Sequence, residues 1–202
     1  MFIIWGLRNR FKVLGQGTFF CPHCGGDRTY QHKQSRRWFT IFFIPLIPLK
    51  VHGDFVQCQT CNSSYKPEVL SMPTTAGLQD QLLAAYREAI VWLLRAGAPG
   101  RGAALEVLSG VAGRQWTDSD LDTDLQLVDV NPLFDRLVTL SSSLTDQGKE
   151  SFLTACTHVA AGGGILSSDE RNLLDRIAAA LTMSPAHSRG AIDSALEQLN
   201  QP

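Results

Sequence analysis

Hydrophobic spacing divides the chain near residue 77. Beyond that point apolar residues recur every three or four positions. Leu78, Leu82, Tyr86, Ile90 and Leu93 share one face, with Leu83 and Leu94 widening it, which predicts an amphipathic helix. Gly97-Ala98-Pro99-Gly100 stops that helix, and a second runs from about Gly102 to Val111. Thr117-Asp118-Ser119-Asp120 reads as an N-cap followed by acidic residues that favour the positive end of the helix dipole. Asn131-Pro132 opens another helix, with Asn as cap and Pro at the first helical position. Thr145-Asp146 opens the next, which turns Phe152, Ala155 and Val159 inward and ends at Gly162-Gly163-Gly164. Ser167-Ser168-Asp169-Glu170 is a capping box, in which serine accepts from a first-turn amide and glutamate accepts from the cap amide. Leu173, Leu174, Ile177 and Leu181 follow as its buried stripe. Ser184-Pro185 starts the last helix, with Ile192, Ala195, Leu196 and Leu199 apolar. Residues 78–202 therefore predict six or seven helices and no strands.

Before residue 77 the period is that of strands. Phe2 to Trp5, Thr18 to Phe20, Thr29 to His32, Trp38 to Ile44 and Asp54 to Gln57 are rich in aromatic and β-branched types. The run from Trp38 to Leu49 carries no charge. As a strand it points Phe39, Ile41 and Phe43 one way, and Trp38, Phe42 and Ile44 the other. A small ribbon buries one such face. The second needs a cover: Phe2 to Trp5, the helical region, a membrane surface or a protein partner. Twelve residues are too few for a spanning helix, which needs roughly 20, and Pro45 and Pro48 would break it. The start of the chain lacks the order of charges and apolar residues found in a secretion signal. These features place the protein in a reducing cytoplasm, with a peripheral position at the membrane as an extension of that reading.

Charge sharpens the division. The net charge of −1 conceals nine Lys/Arg against three Asp/Glu in residues 1–70, and nine against sixteen in residues 71–202. The basic half includes Arg8, Arg10, Lys12, Lys33, Arg36 and Arg37. Basic residues beside apolar ones favour anionic lipid. They also suit phosphates, and nucleic acid is the alternative partner class. The aromatic residues are mixed with aliphatic ones and do not form a spaced stacking platform, which ranks nucleic acid lower.

Four of the five cysteines form two Cys-x-x-Cys pairs, Cys21/Cys24 and Cys58/Cys61. Without a secretion signal, this spacing reads as metal binding and not as disulfides. Each pair presents two thiolates from one tight knuckle, and two knuckles complete a tetrahedral zinc site. Pro22 stiffens the first knuckle, and Gly25 and Gly26 let its backbone turn. All-cysteine spacing also admits iron or a redox dithiol pair. Cys156 lies on the apolar side of a helix, near Phe152 and Val159, and reads as a small buried hydrophobe. Asp118, Asp120, Asp122 and Asp124 form either a solvated helix start or a weak cation site. No nucleophile with its base, phosphate loop or paired carboxylates emerges, so the reading is a protein that is not an enzyme and has no identified small-molecule substrate.

Two resemblances accompany this reading. Met1-Phe2-Ile3-Ile4-Trp5-Gly6, the Cys21 to Gly25 knuckle, the Trp38 to Pro48 run and the Cys58 to Cys61 knuckle resemble a bacterial and fungal zinc-ribbon family of unknown role. The knuckles also resemble LITAF-type domains, in which an apolar segment between two such pairs lies in a membrane interface. Ala160-Ala161-Gly162-Gly163-Gly164-Ile165-Leu166-Ser167-Ser168-Asp169-Glu170 is similar to the TerB-like helical module of tellurite-resistance proteins, with Gly163 standing where that family carries aspartate. The resemblance implies stress response at or near the membrane through protein complexes.

The expected protein is thus α+β: a small β zinc ribbon (residues 1–66), a linker (67–77) and an all-α TerB-like bundle (78–202). Cys21, Cys24, Cys58 and Cys61 hold one structural Zn2+. Trp38, Ile41, Phe42, Phe43, Arg36 and Arg37 are candidates for membrane or partner contact. The expected role is a non-enzymatic adaptor, with a nucleic-acid-binding ribbon as the alternative.

Overall fold

Strand-forming residues before residue 66 join into a few long strands, not many short ones. The computed structural model describes residues 5–41, 44–162 and 164–199. Strands β1 (Trp5–Cys21), β2 (Gly26–Ile41), β3 (Ile44–Cys58) and β4 (Ser64–Tyr65) make one antiparallel sheet in the order β1-β2-β3-β4. The expected segments Thr18 to Phe20, Thr29 to His32 and Asp54 to Gln57 lie inside β1, β2 and β3. Phe2 to Ile4, Phe42 and Phe43 lie outside the described residues.

The strands run through residues that ordinarily interrupt them. Val13 pairs with Lys33 and Gly15 with His32, so Leu14 is the extra residue of a bulge. Gly53, at φ +135°, sits beside another register shift opposite Ser35 and Arg36. Pro45 and Pro48 are tolerated because the outer part of β3 is an edge; β4 pairs only with Val56 and Gln57. Beyond the His32–Val56 pair, β2 continues nine residues to Ile41, roughly 30 Å of three-stranded arm.

The chain divides into two compact units, residues 1–77 and 78–202. The first has a very small core. Phe19, Cys21, Val56 and Cys58 are buried, with Tyr30, Tyr65, Val69 and Leu70 packed around them. Tyr30 and Tyr65 meet Phe19 edge-on, with ring centroids 5.5 and 5.9 Å away. Val69 and Leu70 belong to a 3-10 turn, Pro67–Ser71, within the stretch expected to be a linker.

Among the described residues seven helices follow: α1 (Thr75–Arg95), α2 (Arg101–Ala112), α3 (Asp118–Leu127), α4 (Leu133–Ser141), α5 (Asp146–Ala161), α6 (Ser168–Ala180) and α7 (Pro185–Leu199). Their ends follow the local chemistry. Thr117 and Asp120 form a capping box at α3, and Ser167 and Glu170 form one at α6. Helix α4 begins one residue later than its Asn-Pro signal predicts. The Asn131 side chain donates to Asp129 and Pro132 takes the cap position. Gly162 ends α5 at φ +51°. Its neighbour in space is Gly100, whose N–H donates to Val159 O at 3.1 Å. A Cβ on Gly100 would fall 2.1 Å from that oxygen, so two helix-stopping glycines meet backbone to backbone. Ile90, Leu93, Leu108, Leu121, Leu137, Phe152, Leu174 and Ile177 are among the fully buried residues of this core.

The architecture is α+β, an antiparallel sheet followed by a helical region. No helix among the described residues is long and apolar enough to cross a membrane.

Candidate metal centre

The two Cys-x-x-Cys segments form nearly the same turn. In the first, Gly25 N–H donates to Cys21 O at 2.9 Å, and Gly25 has φ +66°. In the second, Asn62 N–H donates to Cys58 O at 3.0 Å, and Asn62 has φ +58°. The left-handed residue after the second cysteine lets each turn close, and Asn is among the few residues besides Gly that take this conformation readily. The role of Gly25 was legible from composition. That of Asn62 was not, although its place after Cys61 matches that of Gly25 after Cys24. Gln59 N–H donates to Thr29 O at 2.9 Å and ties the second knuckle to β2.

Position in the sheet then sets burial. Cys21 and Cys58 end β1 and β3 and are fully buried, while Cys24 and Cys61, on the turns, are partly exposed. The four Sγ atoms all lie within 4.8 Å of one another. Cys21 and Cys61 Sγ are 3.8 Å apart, too far for a disulfide. A tetrahedral zinc–thiolate site, with Zn–S of about 2.3 Å, has sulfurs about 3.8 Å apart. The donor set therefore fits a soft tetrahedral dication.

Electrostatics agree with this reading. Burial raises the Cys21 thiol, but hydrogen bonds from Tyr65, from the Cys24 and His23 backbone and from Cys58 outweigh it and bring it down to about 6. Tyr65 Oη lies 3.4 Å from Cys21 Sγ and donates to it when the sulfur is a thiolate. Cys24 is pushed up to about 12 by burial and by the neighbouring sulfurs. Four thiolates this close repel one another, and a dication is what makes full deprotonation favourable.

A zinc-ribbon family matches residues 19–82. That segment holds both knuckles and the small core, and it makes zinc the implied metal. No curated protein and no solved structure matches the chain.

The remaining expected site residues lie elsewhere. Arg36 and Arg37 are exposed on β2, and Trp38 is half-buried near its end. Ile41 closes β2, while Phe42 and Phe43 are outside the described residues. The four aspartates of α3 form no joint site, because each meets an arginine. Asp118 and Asp122 accept from Arg101, Asp120 from Arg114, and buried Asp124 from Arg87 through two hydrogen bonds. These partners lie 6 to 37 residues away in sequence, beyond the reach of pattern reading. Cys156 is fully buried, and burial pushes its thiol up to about 12, as an inert core residue requires.

Proposed function

We propose that this chain is a non-enzymatic adaptor holding one structural zinc ion and acting near a membrane in a stress response of the tellurite-resistance kind. One observation carries the non-catalytic reading: two knuckles place four thiols together, which completes a tetrahedron from protein alone. Catalytic zinc sites keep a position open for water or substrate. When bound, zinc would cross-link the turns at the base of the β arm, and Cys21, Cys24, Cys58 and Cys61 would hold it. The free thiols favour a reducing cytoplasm.

The stress-response part rests on the resemblance of residues 160–170 to TerB-like domains. Gly162, Ser167 and Glu170 are accounted for by helix ends, so no loop chemistry is assigned to them. The acidic helical unit is the platform for a protein partner in this reading. Nucleic acid draws on the same basic residues of the sheet, where exposed Phe11 offers one ring to stack on, but Leu7, Ile47, Leu49 and Val51 are aliphatic.

The test is deletion of the gene in its host, with survival scored under tellurite. Complementation by the intact chain and failure of Cys58→Ser, with a partner co-purifying at fixed stoichiometry, is the expected result. Unchanged survival together with no stable partner would sink the adaptor reading.

A further inference from the structure

The arm beyond the metal centre has a banded surface. Near its end, Leu7, Phe39 and Ile47 are directly paired across three strands on one face. Leu7 and Ile47 are 55% and 54% exposed. On the opposite face, Arg8 and Trp38 are paired. Inward from there the arm becomes cationic, with Arg10, Lys12, Lys33, Arg36, Arg37 and Lys50. The arm strands over 5–13, 33–41 and 44–55 carry seven Lys/Arg and one acidic residue, Asp54, which meets His32. Arg10 and Arg36 stand directly opposite each other across β1 and β2. Like charges in that position destabilise a sheet, and neither has an acidic partner among the described residues. A charge pair that works against the fold is explained by an anion outside it. Arg8, Arg10 and Lys12 on the 17-residue β1 edge work against pairing of this stretch with its own copy.

We propose that the arm inserts its end into an anionic lipid surface, with Leu7, Phe39 and Ile47 entering the acyl boundary and the Arg10/Arg36 band lying at the headgroups. The inference deepens the membrane-proximal reading above and rests on it. Spacing supports the assignment. From Ile41 back to the Arg8–Trp38 pair is three residues, about 10 Å of strand. Interfacial elements bury about 5–10 Å. Trp38 then sits at the depth that Trp favours, and the basic band begins where the headgroups are. Leu7 and Ile47 place aliphatic side chains on either side of Phe39, a surface that suits acyl chains better than a run of stacked bases.

The experiment is flotation of the zinc-loaded full chain with vesicles of phosphatidylcholine containing one-quarter phosphatidylglycerol, against phosphatidylcholine alone. The intact chain floats with the anionic vesicles only. Leu7→Glu/Ile47→Glu alters exposed positions and lowers partitioning at least tenfold with zinc content unchanged. Arg10→Gln/Arg36→Gln also lowers it at least tenfold, yet leaves the thermal midpoint equal or higher because repulsion is relieved. A merely structural role for the arginines predicts the opposite midpoint shift. The proposal is overturned if the intact chain does not float, or if the Leu7/Ile47 variant floats equally. It is overturned equally if the chain instead binds single-stranded nucleic acid and the Arg10/Arg36 variant loses that binding. No flotation with a clear deletion phenotype removes the arm inference alone. Flotation with no deletion phenotype and no partner removes the adaptor reading alone.

Discussion

Among the described residues, the ribbon's core cluster holds four buried residues, two of them cysteines, and that of the helical unit holds twenty-five. The two units also differ in how their polar groups are used. Among the described residues the ribbon's arm leaves Arg10, Arg36 and Arg37 exposed, whereas the helical unit pairs Arg87 with Asp124, Arg101 with Asp118 and Asp122, and Arg136 with Glu88. A sheet with so small a core needs a cross-link, and the knuckles provide it. A bundle with a continuous apolar core needs none. The units should therefore fail separately and for different reasons.

The largest effect should come from the metal. Zinc supplies roughly 10–16 kcal/mol of apparent folding free energy in structural sites. Chelation, or Cys58→Ser, should abolish amide protection from Phe19 to Tyr65 while amides in α1, α5 and α6 keep theirs. Hydrogen exchange read by mass spectrometry resolves this. Joint loss of protection in both units would mean that the comparison is wrong and that the bundle depends on the ribbon.

The next effect tests how the bundle tolerates buried charge. Glu88 is buried, and Arg136 donates three hydrogen bonds to its carboxylate. Arg136→Ala strands that carboxylate and should cost about 3–5 kcal/mol. Glu88→Gln leaves an arginine that is 29% exposed and able to reach water, so it should cost less. Urea denaturation of the two variants decides the order. Equal costs would show that the pair acts through packing alone. Gly100→Ala comes after these. Its new Cβ meets the Val159 carbonyl, and the strain of moving one backbone past another is about 1–3 kcal/mol. A variant as stable as the parent would mean that the loop and α5 part easily.

The contrast between units also explains what the sequence allowed to be read. Helix boundaries were legible because caps are local: Thr117 and Asp120, or Ser167 and Glu170, lie three residues apart. The metal site was legible for the same reason, since each knuckle is complete within a few residues. Strand length was not. Whether Gly15, Gly53, Pro45 or Pro48 ends a strand depends on the strand beside it, and here bulges and an open edge absorb them. The arginine partners of the α3 aspartates were hidden by the same limit. They are set by helix packing, and the residues between them carry no trace of it.

The smallest effect separates capping from titration within the bundle. Asp120 accepts from Thr117 N–H at 2.9 Å and from its hydroxyl at 2.7 Å, and its carboxyl is held below the ordinary 3.8 by these bonds and by Arg114. Because the folded value is the lower one, the unfolded chain binds the proton first as pH falls. The contribution to stability is full above pH 3.8 and is lost as pH drops through the folded value. Asp120→Asn keeps an oxygen for the cap and removes the titration. Its stability should therefore be close to that of the parent at neutral pH, and its decline below pH 4 should be shallower. Thermal midpoints of the zinc-loaded proteins do not serve, since acid also releases zinc from thiolates. The comparison belongs to the helical signal alone, read after chelation. A parallel decline in both proteins would assign the acid sensitivity to groups other than Asp120.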